Sequence, residues 1–386
     1  APESVAAVVS IDLKSDEPAI HALAEKLTDK PGESSPVRFF DAAALEEQTP
    51  KLQNPSKTVF KEVGCHGVAE GAALAAAGKS GKLVIPKTKS KRATCAVAES
   101  AELIDPQKTG KSQGTLFIVG TGPGSPKWRL PEAEEMLRNS NDWVGYGLYL
   151  DLIADLYKNQ FGKEQRRLHR FELGQEEKRV RHALNLAAQG KTVALISSGD
   201  PGIYAMATLV FEMLERTDAE PDQHSEWRRI RVVSTPGITA MQAAGALAGA
   251  PLGHDFCSIS LSDLLTPWDT IKRRIIAAAK SDFVIAFYNP VSSKRINQLY
   301  EAQKILLKHR SPDTPVIMAH NLGRNGERVN FVTLFNMDPS EADMLTVIIV
   351  GSSQSKKIQL PNGVVRVYTP RGYHKKQETE KTLPVC

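Results

Sequence analysis

The segment with the most suggestive chemistry is Ser-Ser-Gly-Asp-Pro-Gly at residues 197–202, between an apolar run and a helical pattern. Asp200 could accept hydrogen bonds from the free amides of the following helix, and Pro201 suits a first helical turn. The glycines would also let the backbone approach a ligand closely. Two interpretations therefore stand: a well-capped turn, or a ligand loop in which Asp200 caps the helix as well.

A second glycine-rich stretch, Gly-Thr-Gly-Pro-Gly at 120–124, invites comparison with phosphate-binding loops. The dinucleotide spacing needs a glycine at 125, where Ser125 stands, and Pro123 has no amide N–H to donate. No Gly-Lys-Ser follows, as a P-loop would require. The stretch is therefore predicted to hold a ligand of little negative charge, or a positive one.

The elements that must position these loops alternate between strand-like runs and helical patterns. Apolar runs predict strands at GTLFIVG, DWVGYG, TVALISS, IRVVST, FVIAFYN, TPVIMAH and LTVIIVG. Helical patterns separate them, which predicts an α/β protein with two lobes meeting at a cleft. The loops GTGPG, SSGDPG, TPGIT and FYNP all follow strands, so we expect them to face one pocket.

Composition bounds the remaining possibilities. The 386 residues predict two or three domains, and a net charge of +5 without aromatic interleaving argues against nucleic-acid binding. No apolar run approaches the length of a membrane span, and no basic leader precedes an apolar segment. The four cysteines form no metal-binding pattern, so we expect free thiols, no metal site and a cytoplasmic location. The cysteines are Cys65, Cys95, Cys257 and Cys386.

Seven motifs in order resemble the tetrapyrrole methyltransferases of cobalamin biosynthesis. They are VGTGPGSPKWRL, SSGDPGIYAMA, STPGITAMQAAGALAGAPLGHDF, SLSDLLTPW, FYNPVSSKR, HNLGRNGE and LTVIIVGSS. The match covers about residues 114–372 and implies the two-lobed class III fold. SLSDLLTPW and FYNPVSSKR most resemble the branch that methylates C-17 of precorrin-3B.

The resemblance implies S-adenosylmethionine in the cleft, usually within a homodimer. It also implies methylation of precorrin-3B, or of its cobalt form, with contraction of the ring. Carried over from the family pattern, the cofactor-binding positions are Pro123, Gly199, Asp200, Ile203, Thr239, Ala240, Tyr288, Leu322 and Thr346.

Ring contraction requires proton transfer, which predicts a general acid or base. The candidates are Asp263, His254, Tyr149 and its neighbour Tyr146. Asp263 could instead cap a helix, and His254 could be an ordinary loop residue. Lys294 and Arg295 could pair with the carboxylate arms of the substrate, or lie on a solvated helix start.

The N-terminal stretch resembles the C-terminal domain of cobalt-precorrin-5A hydrolase. SIDLKSDEPAIHALAEKL, VGCHGVAEGAALAAAG and LVIPKTKSKRATCAVAES carry this resemblance, and the family's opening strand is expected to be missing. If this portion is active, Glu70 and Lys14 with Glu17 are the candidate residues. The plainer interpretation is that Glu70 orients a helix and that the DLKSDEP segment is a polar turn.

We therefore predict a small α/β domain at 1–100, a linker at 101–113, methyltransferase lobes at 114–234 and 235–372, and a polar tail at 373–386. Three alternatives stay open: another corrin methyltransferase, an RNA or protein methyltransferase of the same fold, and a carrier of tetrapyrrole intermediates. SLSDLLTPW argues against the RNA enzyme, and the cofactor loops argue against the carrier.

Overall fold

The computed structural model describes residues 4–27, 35–158, 166–216, 226–292 and 295–373. The N-terminal elements are β1 (Val8–Ile11), α1 (Pro18–Lys26), β2 (Val37–Phe40), α2 (Ala42–Glu46), α3 (Lys57–Val63), α4 (Val68–Ala77), β3 (Lys82–Lys89) and β4 (Thr94–Glu99). β1 pairs with β2 in parallel, and β3 with β4 in an antiparallel hairpin. Ile11, Leu45, Cys65 and Ala72 form the buried core of this domain.

The first lobe is a parallel sheet covered by helices. Its elements are β5 (Thr115–Gly120), α5 (Pro131–Arg138), β6 (Asp142–Tyr146), α6 (Gly147–Asp151), α7 (Asp155–Lys158), β7 (Arg167–Phe171), α8 (Glu176–Ala188), β8 (Thr192–Ser197), α9 (Met206–Glu215) and β9 (Arg231–Thr235). The strand order is β7-β6-β8-β5-β9, and all neighbours are parallel. The loops after β5, β8 and β9 therefore leave from one edge of the sheet.

The second lobe is a mixed sheet. Its elements are α10 (Ala240–Ala248), β10 (Gly249–Ala250), β11 (Phe256–Ser260), α11 (Trp268–Lys280), β12 (Val284–Tyr288), α12 (Gln298–Leu307), β13 (Pro315–His320), β14 (Arg328–Thr333), β15 (Thr346–Val350), β16 (Lys356–Gln359) and β17 (Val365–Tyr368). The main sheet has the order β11-β12-β15-β13-β14. β15 is antiparallel to both β12 and β13, so the ends of β12 and β13 and the start of β15 share one edge.

The predicted two-lobed α/β fold is confirmed. The helix predicted directly after SSGDPG starts later than expected, because α9 begins at Met206 and residues 200–205 form a loop. Strands β7, β11, β14, β16 and β17 escaped prediction because each contains polar residues that interrupt the apolar run.

The segment predicted as a linker is hydrogen-bonded to its neighbours on both sides. Arg38 Nε donates to the Thr109 carbonyl at 2.7 Å, and the backbones of Phe39 and Lys111 exchange two hydrogen bonds of 2.7 Å. On the other side, Ser112 Oγ donates to the Gly190 carbonyl at 2.7 Å. The stretch has irregular backbone but fixed contacts.

Candidate cofactor cleft

Three glycine loops that follow strands of the first sheet meet at their backbones. Gly122 and Gly199 exchange backbone hydrogen bonds of 2.8 and 3.3 Å. A Cβ on Gly237 would lie 2.0 Å from the Gly199 carbonyl oxygen, and one on Gly120 would lie 2.7 Å from the same atom. Only glycine allows this approach, so the loops GTGPG, SSGDPG and TPGIT do come together at one edge of the sheet, as the sequence predicts.

Asp200 ties two of these loops together and does not cap a helix. Its Oδ1 accepts from the Gly202 amide at 2.8 Å, and its Oδ2 accepts from the Gly237 amide at 3.0 Å. The predicted helix cap at Asp200 and the placement of Pro201 in a first helical turn are therefore wrong. Ala205 occupies the N-cap position of α9, five residues further on.

Arg324 connects the second lobe to these loops and was not singled out from the sequence. Its Nε donates to the Pro123 carbonyl at 2.8 Å, and its Nη2 donates to Ser198 Oγ at 3.1 Å. Ser198 Oγ in turn donates to the Gly122 carbonyl at 3.2 Å. The motif HNLGRNGE was recognised, but the reach of one side chain across 201 positions leaves no signal in a sequence.

Two tyrosines face each other across the cleft. Tyr204 and Tyr288 have ring centroids 5.2 Å apart, and the Tyr204 hydroxyl donates to the Ser258 carbonyl at 3.0 Å. The Tyr288 hydroxyl accepts from the Met241 amide at 3.1 Å, and burial raises its pKa. Tyr288 therefore joins the end of β12 to the start of α10.

Thr239 and Ala240 lie at the start of α10, where Thr239 forms a capping box with Gln242. The Thr239 hydroxyl accepts from the Gln242 amide at 3.2 Å, and Gln242 Oε1 accepts from the Thr239 amide at 3.0 Å. Ile203, in the SSGDPG loop, is 37% exposed. Thr239 thus fixes the position of Ala240, which is half-buried beside the loop junction.

The three residues predicted to enclose an adenine lie at neighbouring strand ends but differ in direction. Leu322 is buried in the core cluster that Tyr288 packs against. Thr346 shares the opposite face of the sheet with Ile348, because side chains alternate along a strand. Its hydroxyl lies 2.6 Å from Asp343 Oδ1 and 2.8 Å from His320 Nδ1. The Thr346 side chain therefore points away from the face of the sheet on which Leu322 and Tyr288 pack.

Backbone strain is concentrated at the cleft. Among the described residues, four that are not glycine have positive φ: Tyr204, Asp282, Asn289 and Asn321. Tyr204, Asn289 and Asn321 lie in loops at the cleft edge, and Asn289 Nδ2 donates to Ser260 Oγ at 3.1 Å. Such conformations cost about 1–3 kcal/mol each and cluster at functional sites.

Tyr149 is an acid–base candidate in the first lobe. It belongs to α6, directly after β6, and its ring packs edge-on against Tyr146 at 5.2 Å. Burial raises the pKa of its phenol, while the charges of Arg324 and Arg179 act in the opposite direction. The phenol is therefore neutral and protonated near pH 7, at a position flanked by two cations.

Asp263 and Arg295 interact with each other. Asp263 Oδ2 accepts from Gln298 Nε2 at 2.8 Å, and its Oδ1 lies 4.0 Å from Arg295 Nη1. Arg295 is 6% exposed and donates to Ser262 Oγ at 3.2 Å, so it helps to hold the SLSDLLTPW segment in place. Lys294 lies outside the described residues.

His254 is separated from the other candidates. It precedes β11, whereas Asp263 follows the same strand, so a whole strand lies between them. Its side chain is 54% exposed and its Nδ1 accepts from the Asp255 amide at 2.8 Å. The structure therefore does not bring His254 together with Tyr149 or Asp263.

Glu70 of the N-terminal domain is 1% exposed and fully engaged. Its carboxylate accepts from the amides of Gln53, Asn54 and Lys87 and from Asn54 Nδ2, at 2.8–3.0 Å. Burial opposes its ionisation, but these bonds outweigh burial and lower its pKa. Lys14 and Glu17 are exposed near the start of α1. The contacts favour the interpretation that Glu70 orients its helix.

In residues 4–373, leaving out the undescribed gaps, no group of three or more His, Cys, Asp or Glu side chains is arranged to hold a metal ion. Over the same residues, each helix is too short or too polar to cross a bilayer. Cys65, Cys95 and Cys257 are free thiols, and Cys386 lies outside the described residues.

Comparison with known proteins agrees with this geometry. A family model described as Tetrapyrrole (Corrin/Porphyrin) Methylases matches residues 115–338, and one described as Cobalamin synthesis G C-terminus matches residues 1–98. The chain therefore belongs to the tetrapyrrole methylase family, and its first 98 residues are similar to the second family. The resemblance predicted from the sequence motifs is confirmed.

Individual relatives point to one branch. The chain is 42% identical over 262 residues to a precorrin-3B C(17)-methyltransferase of a Sinorhizobium species, and the match covers 67% of this chain and 97% of that protein. It is also 42% identical to a cobalt-factor III methyltransferase of Priestia megaterium, covering 70% of this chain but only 47% of that longer protein. The crystal structure of the methyltransferase CobJ matches with 38% identity and a TM-score of 0.59, over 67% of this chain and all of that one.

Proposed function

We propose that this chain transfers a methyl group from S-adenosylmethionine to C-17 of precorrin-3B or its cobalt form, with contraction of the ring. The observation that carries the proposal is the junction of Gly122, Gly199 and Gly237, where two loops of the first lobe meet the loop that opens the second lobe in a chain of this family. Relatives of 42% identity with this activity in their names support the acceptor.

The residues present fit this cofactor. When bound, S-adenosylmethionine supplies a methyl group that is already activated by its positive sulfonium. The cleft needs to hold donor and acceptor in line, and such positioning accounts for much of a rate enhancement. Backbone-lined loops with Pro123 in the first of them suit a ligand without phosphates. Asp200 stabilises the loop geometry by accepting from Gly202 and Gly237.

The remaining cofactor-binding candidates act mainly by shaping the cleft. Tyr288 and Thr239 fix the first turn of α10, and Ile203 and Ala240 line the space between the loops and that helix. We place Leu322 and the Thr346 backbone on the adenine side. The exposed Tyr204 lies opposite Tyr288 and offers a flat apolar surface at the entrance.

Tyr149 is our candidate for proton transfer during ring contraction. Its neutral phenol can donate a proton at pH 7, and the flanking charges of Arg324 and Arg179 stabilise the phenolate that would result. Asp263 is the second candidate, although its contacts with Gln298 and Arg295 suit support of the SLSDLLTPW segment equally well.

The wider setting of the activity is also a proposal. We propose a homodimer in the cytoplasm, with residues 1–100 as a separate domain, 101–113 as the linker, and lobes at 114–234 and 235–372. Free thiols at Cys65, Cys95 and Cys257 suit a reducing compartment. The saturated hydrogen bonds of Glu70 favour a structural role for that residue.

The test is methyl transfer to purified precorrin-3B and to its cobalt form, followed by product mass and absorption spectrum. A gain of one methyl with the spectrum of a contracted ring is expected for one of the two. Tyr149→Phe should retain cofactor binding but slow turnover about 100-fold, as loss of an acid–base group does. Tyr146→Phe, the matched neighbour, should remain within a few-fold of the parent.

Three results would contradict the proposal. Cofactor binding without transfer to either acceptor would favour another corrin methyltransferase of the same family. Tetrapyrrole binding without cofactor binding would favour a carrier. Methylation of RNA or protein in place of the tetrapyrrole would favour the third alternative. An unchanged rate in Tyr149→Phe would remove Tyr149 from the mechanism while leaving the methyl transfer intact.

A further inference from the structure

Arg324 places a positive charge where the two lobes meet. It lies in the turn after β13 and extends into the first lobe, where two of its nitrogens bind the neutral Pro123 carbonyl and Ser198 hydroxyl. Its aliphatic chain packs against Gly124, where a Cβ would lie 2.6 Å from Arg324 Cγ. The side chain is thus held in one position by both glycine loops.

No carboxylate of the described residues neutralises this charge. Within the described residues, Arg324 forms no ion pair shorter than 4 Å, whereas the buried Arg129 pairs with Asp155 at 3.0 Å. Removing a charge from water without a counter-charge is unfavourable, and partial burial lowers the pKa of Arg324. Hydrogen bonds to two neutral oxygens do not offset that cost fully, so stability alone does not explain the residue.

One donor of the guanidinium is also left over. Arg324 Nη1 is shielded from water and has no hydrogen-bond partner among the described residues. A group bound between the lobes can supply the acceptor that this nitrogen lacks. A carboxylate is the acceptor that matches both the free donor and the free charge.

We propose that Arg324 binds a carboxylate of the ligands held in the cleft, while its other two nitrogens position the GTGPG and SSGDPG loops. The inference rests on the proposed function, which supplies two sources of that carboxylate: the methionine part of the cofactor, or an acid arm of the tetrapyrrole. Both would enter beside Pro123 and Ser198, where the guanidinium lies.

The experiment compares two ligands that differ by one group. S-Adenosylhomocysteine and its decarboxylated form are titrated by calorimetry into the full chain and into Arg324→Gln. KM for the tetrapyrrole is then measured in the same variants. Arg274→Gln, which removes an exposed arginine from α11, is the charge-matched control and should behave like the parent.

If the cofactor supplies the carboxylate, Arg324→Gln should lose at least 10-fold in affinity for S-adenosylhomocysteine and keep its affinity for the decarboxylated form. If the tetrapyrrole supplies it, both cofactor analogues should bind as before and KM for the tetrapyrrole should rise at least 10-fold. Equal weakening of both analogues, or no change in any of the three values, would overturn the proposal.

Retained binding of the decarboxylated analogue shows that the cleft of the variant is folded. Should Arg324→Gln fail to fold, Arg324→Lys keeps the charge but cannot reach Pro123, Ser198 and a carboxylate together. The ratio of its affinity for S-adenosylhomocysteine to its affinity for the decarboxylated form should then fall at least 3-fold. An unchanged ratio would count against the proposal. The analogue titrations need no methyl transfer, so they remain readable even if precorrin-3B is not the acceptor.

Discussion

Glu70 in the N-terminal domain is buried and Arg324 in the cleft is half-buried, and their surroundings differ. The Glu70 carboxylate accepts four hydrogen bonds, three of them from backbone amides. Arg324 binds two neutral oxygens, keeps one donor unpartnered among the described residues, and has no carboxylate within 4 Å there. Both residues sit in glycine-rich stretches of the sequence.

The difference separates a structural charge from a functional one. A buried charge whose hydrogen bonds are all satisfied contributes to the stability of its own domain, as Glu70 does by joining α4 to the segments before α3 and within β3. A buried charge with spare capacity costs stability and is retained for a ligand. The following variants test this distinction, in order of decreasing expected effect.

Gly237→Ala should have the largest effect, because its Cβ would lie 2.0 Å from the Gly199 carbonyl oxygen and 3.1 Å from the Gly120 carbonyl carbon. The loops must separate, and we expect a loss of about 3 kcal/mol or more in S-adenosylhomocysteine binding, roughly 100-fold. Calorimetry measures it. Gly147→Ala, whose Cβ would meet only Arg170 Nη1 at 3.6 Å, is the control. Normal binding in Gly237→Ala would show that the loop junction is not needed.

Asp200→Asn should come next. The amide nitrogen of asparagine cannot accept from the Gly237 amide, so one charge-assisted hydrogen bond at 3.0 Å is lost and a buried donor is left unpaired. Such a loss costs about 1.5–3 kcal/mol. We expect weaker S-adenosylhomocysteine binding by calorimetry with a folded N-terminal domain. Asp255→Asn, at an exposed acid, should leave binding unchanged.

Glu70→Gln should destabilise the N-terminal domain by about 2 kcal/mol, because the NH2 group of glutamine cannot accept the hydrogen bonds that a carboxylate oxygen of Glu70 accepts. Cofactor binding should remain intact. The pKa of Glu70 lies below its ordinary 4.5, so its contribution is present above about pH 4.5 and is lost as pH falls through the lower folded value. Urea unfolding of parent and variant should therefore converge in acid. An effect on cofactor affinity at pH 7 would break the distinction between the two regions.

Thr239→Ala should have the smallest effect. Loss of the capping box at α10 costs about 1 kcal/mol of unfolding free energy, and Thr239→Ser should recover most of it. Thermal unfolding measures both variants. A loss well above 2 kcal/mol, or no recovery with serine, would mean that Thr239 does more than cap the helix.

The sequence predicts the central strands well because they are buried on both faces. β12 and β15 read as continuous apolar runs, and their residues up to Phe287 and throughout 346–350 are buried. Strands such as β7 and β16 carry charged residues, and only pairing with a neighbour makes them strands. The local sequence of such a strand does not show which neighbour it pairs with.

The site was predictable in its loops but less so in its contacts. The glycine-rich motifs predict that the backbones of the loops approach closely, and the backbones of Gly199 and Gly237 do so. Asp200 does not cap the helix because α9 begins only at Met206, after Tyr204, which adopts a left-handed conformation. Arg324 comes from a distant part of the chain, and its contacts with Pro123 and Ser198 follow only from the packing of the lobes.

The bonded linker has a mechanical consequence. The linker is hydrogen-bonded to Phe39 and Arg38 on one side and, through Ser112, to Gly190 on the other. These bonds restrict its motion relative to both domains. Any rotation of the N-terminal domain must be transmitted to the loop after α8, and the loss of either domain strips the other of these bonds. These bonds should therefore couple the unfolding of the two domains, although each has a hydrophobic core of its own.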